Sequence, residues 1–154
     1  MQVTEDSLSN FGNLQAFVER QPQFNEAFGC LKKTAEISLV VDGVQGVLKS
    51  VDKRVKLLKA NPSHADVEFV LSRQAASLLA SSKPQSMGEL GIEVVKLIAS
   101  GEVQIRVIGR VFSVLTGGYL TIIKKAGPEF MAFLGSKGFK SVTKITQAIK
   151  NMKA

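Results

Sequence analysis

Several residue types are scarce in this 154-residue chain, and each scarcity argues against a class of protein. The single cysteine, Cys30, cannot form an internal disulfide, so the chain is not a disulfide-stabilised scaffold. The single histidine, His64, has no cysteine or second histidine near it, which argues against a metal site or a catalytic triad. The glycines form no GxGxxG or P-loop pattern, so no nucleotide cofactor is expected. We therefore predict no catalytic residues, no metal and no cofactor, and a protein that is not an enzyme.

Long uncharged apolar runs are missing as well. The most apolar stretch, residues 105–123, is interrupted by two arginines and a pair of glycines, whereas a membrane-spanning helix needs about 20 mostly uncharged residues. Glu5 and Asp6 stand where a secretory signal would carry Lys or Arg. These features predict a soluble protein that stays in the cytoplasm.

Two segments about thirty residues apart, 65–72 and 100–109, alternate strictly between apolar and polar residues. The apolar members are Val67, Phe69 and Leu71 in the first segment, and Val103, Ile105 and Val107 in the second. Because strand side chains alternate with period two, each segment is predicted to be a strand with one apolar face. Apolar helical spacing lies between them, with no polar cluster typical of a reaction centre. Helices over an apolar sheet face favour a protein that encloses something hydrophobic.

The rest of the chain is organised around these strands. Apolar residues at helical spacing precede Thr34, where the period changes to two and a meander of three strands follows, with turns at Asp42-Gly43 and Asp52-Lys53. Ser72 and Ser86 are placed to cap the helices that begin after them. We predict a single domain over residues 1–154. It comprises N-terminal helices (1–33), a core (34–134) and a C-terminal basic helix (135–154).

The segment 110–125 fits two local structures. Val111, Leu115, Tyr119 and Ile122 recur at helical spacing, whereas the residues around Gly117-Gly118 also fit a hairpin. We favour the helix and keep the hairpin as the alternative.

The order of these elements resembles the sterol carrier protein-2 domain. The resemblance is carried by Val41-Asp42-Gly43, by Ala65-Asp66-Val67-Glu68-Phe69-Val70-Leu71-Ser72, and by Ser100-Gly101-Glu102-Val103-Gln104-Ile105 through Gly109. It implies an α+β fold in which helices cover one face of a five-stranded, mostly antiparallel sheet. It also implies an apolar tunnel for a fatty acid, acyl-CoA, sterol or isoprenoid, with no catalytic residues. In many relatives an acidic residue or Asn follows the last glycine, where this chain has Arg110.

The resemblance and the apolar patterns together indicate candidate site residues. The apolar cavity is predicted to be lined by Phe69, Leu71, Ile105, Val107, Phe112, Leu115, Tyr119, Phe130 and Phe133. Arg106 and Arg110 are the candidates for holding a lipid headgroup at its mouth. For any single aromatic residue, filling of an ordinary core is the alternative.

Basic residues are concentrated at the end of the chain. Residues 103–154 contain nine Lys or Arg and one acidic residue, and the whole chain has a net charge of +7. Such a surface attracts anionic membranes. Nucleic acid is not an expected partner, because no aromatic residues alternate with these bases as stacking platforms. The leading prediction is binding and transfer or presentation of a lipid. The alternative is a basic adaptor that docks on an anionic membrane or a partner protein without an internal ligand.

Overall fold

A mixed five-stranded sheet organises the structure, a computed structural model that describes residues 3–110, 114, 117–138 and 142–153. The described elements, in chain order, are α1 (Glu5–Arg20), α2 (Pro22–Phe28), β1 (Glu36–Val41), β2 (Val44–Val51), β3 (Arg54–Leu58), β4 (Val67–Leu71), α3 (Arg73–Ser81), α4 (Met87–Ala99), β5 (Val103–Val107), α5 (Tyr119–Lys125), α6 (Pro128–Ser136) and α7 (Val142–Asn151). The predicted α+β class with five strands is confirmed.

The strands are ordered β3-β2-β1-β4-β5 across the sheet. Three neighbouring pairs are antiparallel, but β1 and β4 are parallel, with Ile37 opposite Val67. The sheet is therefore mixed, which corrects the prediction of a mostly antiparallel one. The loop after β3 returns past the start of β1, where the N–H groups of Ser63 and His64 donate to the Glu36 carboxylate at 2.7 and 3.2 Å. This return lets β4 enter beside β1 in the same direction.

The two faces of the sheet differ in chemistry, and the helices pack on one of them. On this inner face the strand register aligns Leu39 of β1 with Phe69 of β4 and Ile105 of β5. Each described helix contributes residues to apolar clusters that include inner-face side chains. The outer face carries a polar row in which Arg106, Glu68 and Ser38 lie on adjacent strands. Coverage by helices on one face, as predicted, is confirmed.

Short sequence signals set the element ends. Asp42 and Gly43 both have positive φ, 48° and 85°, as a two-residue type I′ turn requires. The hydroxyls of Ser72 and Ser86 accept from the N–H groups of Ala75 and Glu89, both at 3.1 Å, and so cap α3 and α4. The predicted turn and both predicted caps are confirmed.

The segment 110–125 is helical in its second half. Helix α5 begins at Tyr119, directly after Gly118, which has a φ of 99°. This confirms the preferred helix over the hairpin for residues 119–125, while Phe112 and Leu115 lie outside the described residues. Within the described part of the chain, no helix combines the length and apolarity needed to cross a bilayer.

Buried apolar residues fall into two clusters. The main core joins α1 to α4 with the inner face, and the C-terminal cluster joins α5 to α7 with β4, β5 and α4. Phe69 and Tyr119 pack against both clusters and so mark the boundary between them.

Candidate functional site

The predicted cavity residues on the sheet lie along one strip of the inner face. Phe69 and Ile105 are direct cross-strand partners, and Val107 follows on the same face of β5. Val107 is 1% exposed and belongs to the C-terminal cluster, with Phe69 and Ile105 half-buried beside it. Leu71 is buried in the main core instead. The structure therefore brings three of the four sheet residues to the C-terminal cluster.

The helical candidates are placed over this strip. Phe130 of α6 is buried in the C-terminal cluster, and Tyr119 of α5 packs against it. Phe133 is half-buried and lies under the ammonium group of Lys137, which is 5.5 Å from the ring centroid. Phe69, Ile105, Val107, Tyr119 and Phe130 thus form one apolar group between β4, β5, α5 and α6. We call this group the apolar strip.

The helices over the strip leave much of their apolar surface incompletely buried. No residue of α5 is buried, although Leu120, Ile122 and Ile123 are large and apolar. Among the described residues, the C-terminal cluster has six buried apolar members and ten half-buried ones, whereas the main core has 19 and nine. These helices therefore leave apolar side chains partly accessible to solvent, whereas the main core buries most of its members.

Close backbone approaches hold this region to the rest of the fold. A methyl group on Gly91 of α4 would lie 2.7 Å from the ring of Phe130, and one on Gly88 would overlap the carbonyl oxygen of Ala126. A methyl group on Gly118 would overlap the carbonyl oxygen of Cys30. These close approaches were not predicted from the sequence. For Gly88 and Gly91 the available signal was the cost of glycine inside a helix, which is about 1 kcal/mol relative to alanine and often indicates close packing.

Tyr119 supplies the polar group of the apolar strip. Burial, followed by the negative charge of Asp66, raises the pKa of Tyr119 to about 12. The phenol is therefore protonated at neutral pH and remains a hydrogen-bond donor. Asp66 is held in place because the N–H groups of Ile108 and Gly109 donate to its carbonyl oxygen at 2.9 and 3.0 Å.

The two candidate headgroup residues are not brought to this strip together. Arg106 lies on the outer face, where its guanidinium is 3.3 Å from the Glu68 carboxylate. The other Glu68 oxygen accepts from the Ser38 hydroxyl at 2.8 Å, so Arg106 belongs to a polar row across the sheet. Arg110 is exposed just beyond β5. Arg106 lies within β5. Arg110 directly follows Gly109, whose N–H group donates to the carbonyl oxygen of Asp66 just beyond the end of β5.

Two surface cavities were found away from the apolar strip. One, of about 370 Å³, lies along β3 and is lined by Glu19, Arg20, Pro22, Asn25, Arg54, Val55 and Lys56. The other, of about 160 Å³, lies at the start of α4 and is lined by Ser82, Lys83, Pro84, Glu89, Ile92 and Glu93. Neither is lined by a predicted cavity residue. The described residues contain no group of three His, Cys, Asp or Glu side chains that suits a metal ion.

No protein-family model matches the chain, and no curated protein matches it significantly. Among solved structures, one described as UbiJ-SCP2 ubiquinone synthesis protein is similar, with 20% sequence identity and a TM-score of 0.42. The alignment covers 79% of this chain and 95% of that chain. Ubiquinone synthesis is a property of that protein and is not transferred to this chain.

Proposed function

We propose that this protein binds a long apolar ligand at the apolar strip and carries or presents it without catalysing a reaction. The observation that carries the proposal is the half-buried hydrocarbon of α5 and α6, which lies over Phe69, Ile105 and Val107. A lipid chain that enters between these helices and the sheet would complete the burial of both. Each enclosed methylene contributes about 0.8 kcal/mol, so a long chain gains several kcal/mol before ordering costs.

Entry of a ligand requires α5 and α6 to move, because Phe130 of α6 is buried against Gly91 of α4 in the same cluster as Val107. Helices with few buried residues open at lower free energy than core strands. Amides of α5 and α6 should therefore exchange hydrogen faster than those of β4 and β5, and ligand should slow them. Equal protection of helices and strands, with and without ligand, would assign the strip to the ordinary core.

The headgroup is proposed to be held by the Tyr119 phenol. Since this group is neutral and lies near the negative charge of Asp66, a hydrogen-bond-accepting uncharged headgroup suits it better than a carboxylate. Among lipids of equal chain length, an ester or ketone should therefore bind more tightly than a fatty acid. Tyr119→Phe should remove this difference and leave chain-length dependence intact.

The test of binding is displacement of a fluorescent lipid, with native mass spectrometry of the purified protein as a second measurement. We expect saturable binding of about one ligand per chain. Ile123→Asp, which places a charge on half-buried α5, should weaken binding at least tenfold. Leu78→Asp is the matched control, because Leu78 is a 49% exposed residue of α3 outside the strip. Equal effects of the two variants, or no saturable binding of any lipid class, would contradict the proposal.

Docking on an anionic membrane is a second proposed function, favoured by the charge beside the strip. Lys124 and Lys125 are exposed and end the same helix that carries Leu120 and Ile123. Each such cation contributes about 1 kcal/mol near an anionic surface, and salt weakens the effect. Co-sedimentation with vesicles should rise with anionic lipid and fall with salt. Replacing both lysines by glutamine should weaken it by up to about 30-fold without changing displacement of the soluble probe.

A further inference from the structure

The 370 Å³ cavity lies at the edge of the sheet farthest from the apolar strip. One wall is formed by the end of α1 and the start of α2, and the other by the edge strand β3. Four strand spacings of about 4.8 Å separate β3 from β5, so about 19 Å lies between this edge and the strip. The cavity volume is within the range of small-molecule sites, about 300–1,000 Å³. A ligand in this cavity would therefore bind at a site separate from the apolar strip.

Basic residues are present in both walls of this cavity. Arg20 is supplied by α1, while Arg54 and Lys56 are supplied by β3, and the one carboxylate in the lining is that of Glu19. Neither Arg54 nor Lys56 forms an ion pair with a described residue. Lys56 lies directly opposite Lys49 on β2, and the ammonium group of Lys49 is 3.9 Å from the Glu36 carboxylate.

Two polar groups of the lining are held in place by the fold. The Arg20 guanidinium donates to the carbonyl oxygen of Ala80 and lies 5.3 Å from the ring centroid of Phe17. Its remaining N–H groups are free to bind a ligand, because a guanidinium has five donors. The Asn25 side-chain oxygen accepts from the Val55 N–H at 2.8 Å, which leaves the Asn25 amide nitrogen as a further donor.

We propose that this cavity binds a small phosphate-bearing anion through Arg20, Arg54 and Lys56. Arginine presents paired N–H donors that match the oxygens of a phosphate, and a lysine adds a point charge. The same chemistry is offered by a soluble phosphomonoester and by the headgroup of an anionic lipid. Nothing in this proposal depends on lipid binding at the strip, so either can fail alone.

Calorimetric titration at constant ionic strength, with chloride as the reference anion, is the test. The probes are inorganic phosphate, glycerol 3-phosphate and vesicles that contain phosphatidic acid. Saturable binding of the soluble probes would identify a soluble phosphate compound as the ligand, and binding of the vesicles alone would identify a lipid headgroup. Either result supports the site only if it depends on Arg54. Absence of saturable binding with all three probes would overturn the proposal.

Three variants separate the site from general charge effects. Arg54→Ala should weaken binding about tenfold or more, as expected for loss of a charged hydrogen bond. Lys59→Ala, which removes the same charge just beyond β3 and outside the lining, should change it less than about twofold. Glu19→Gln should tighten binding several-fold, because it removes the repelling carboxylate. Equal weakening by Arg54→Ala and Lys59→Ala would show nonspecific attraction and would overturn the proposal, as would weaker binding by Glu19→Gln.

Discussion

The main core and the C-terminal cluster differ in how completely they bury similar residues. Phe11, Leu14 and Phe17 of α1 are each at most 3% exposed, and the ring of Phe17 meets that of Phe24 edge-on at 5.9 Å. Helix α5 is comparably apolar, yet none of its residues is buried. Both regions use the same sheet face. The main core therefore buries its apolar side chains more completely than the C-terminal cluster does.

Two buried carboxylates add hydrogen bonds that hold the main core together. Asp42, 3% exposed at the β1–β2 turn, accepts from Arg73 at 2.9 Å and from Asn10 at 3.2 Å, so it ties α1 and α3 to the sheet. Glu36 ties the loop before β4 to the start of β1 in the same way. Asp42 and Glu36 both act on strands of the main core.

The largest difference between the main core and the C-terminal cluster is expected for two matched substitutions of leucine by alanine. Leu14→Ala in the main core should lower the free energy of unfolding by about 3 kcal/mol, since it leaves a cavity in a fully packed site. Leu120→Ala in the half-buried α5 should cost about 1 kcal/mol or less. Denaturant unfolding of each variant measures its loss in the free energy of unfolding. Similar costs would mean that α5 is packed as tightly as α1.

The attachment of the C-terminal cluster is tested by alanine substitution of two glycines that have positive φ. Gly101 and Gly118 have φ values of 83° and 99°, so alanine at either position strains the backbone by about 1–2 kcal/mol. At Gly101 the added methyl meets nothing within 4 Å, whereas at Gly118 it overlaps the carbonyl of Cys30.

Gly118→Ala should therefore destabilise the protein by about 1–3 kcal/mol more than Gly101→Ala does. It should also increase hydrogen exchange in α5. Equal losses of stability would show that Gly118 contributes through its backbone conformation alone.

Low pH should destabilise the main core, whereas high pH should destabilise the C-terminal cluster. Burial raises the pKa of Asp42 and of Glu36, but hydrogen bonds and nearby cations outweigh it, so both pKa values lie below their ordinary range. The stability that these carboxylates contribute is present above the unfolded pKa of about 4 and is lost as the pH falls through the lower folded values.

The opposite sign applies to Tyr119, whose pKa is raised to about 12. Its contribution is complete below the unfolded pKa of about 10 and is lost as the pH rises towards 12. Because the chain has one tyrosine and no tryptophan, ultraviolet absorbance of the tyrosinate reports this titration directly. Hydrogen exchange should then show acid opening the β1–β4 region and alkali opening α5. A tyrosine that titrates near 10 would remove Tyr119 from the apolar strip.

The smallest expected effect belongs to the second hairpin. Asp52 and Lys53 both have positive φ, 52° and 67°, and glycine is the favoured residue at the second position of such a turn. Lys53→Gly should therefore stabilise the protein by about 0.5–1 kcal/mol. The added stability should appear in β2 and β3 and leave the exchange of α5 unchanged. A loss of stability would mean that the Lys53 side chain contributes more than the turn strain.

Much of the strand and helix pattern follows from local sequence. The period-two segments around Phe69 and Ile105, the Asp42-Gly43 turn and the caps at Ser72 and Ser86 depend on neighbours within a few residues, and each appears where predicted. The parallel pairing of β1 with β4 was missed, because a strand's own residues do not determine which neighbour it joins. The placement of Arg106 away from the cavity residues follows from period two, since Arg106 lies between Ile105 and Val107.

The sequence by itself determined an α+β fold with one apolar sheet face, because side-chain alternation and helical spacing are set by covalent geometry. It also determined the charge distribution and the scarcity of cysteine and histidine. Only the tertiary structure decided that Phe130 packs on Gly91, that α5 leaves Leu120 and Ile123 half-buried, and that Arg20 and Arg54 face one cavity. These contacts join residues far apart in the chain, so they depend on how helices pack on the sheet rather than on local pattern.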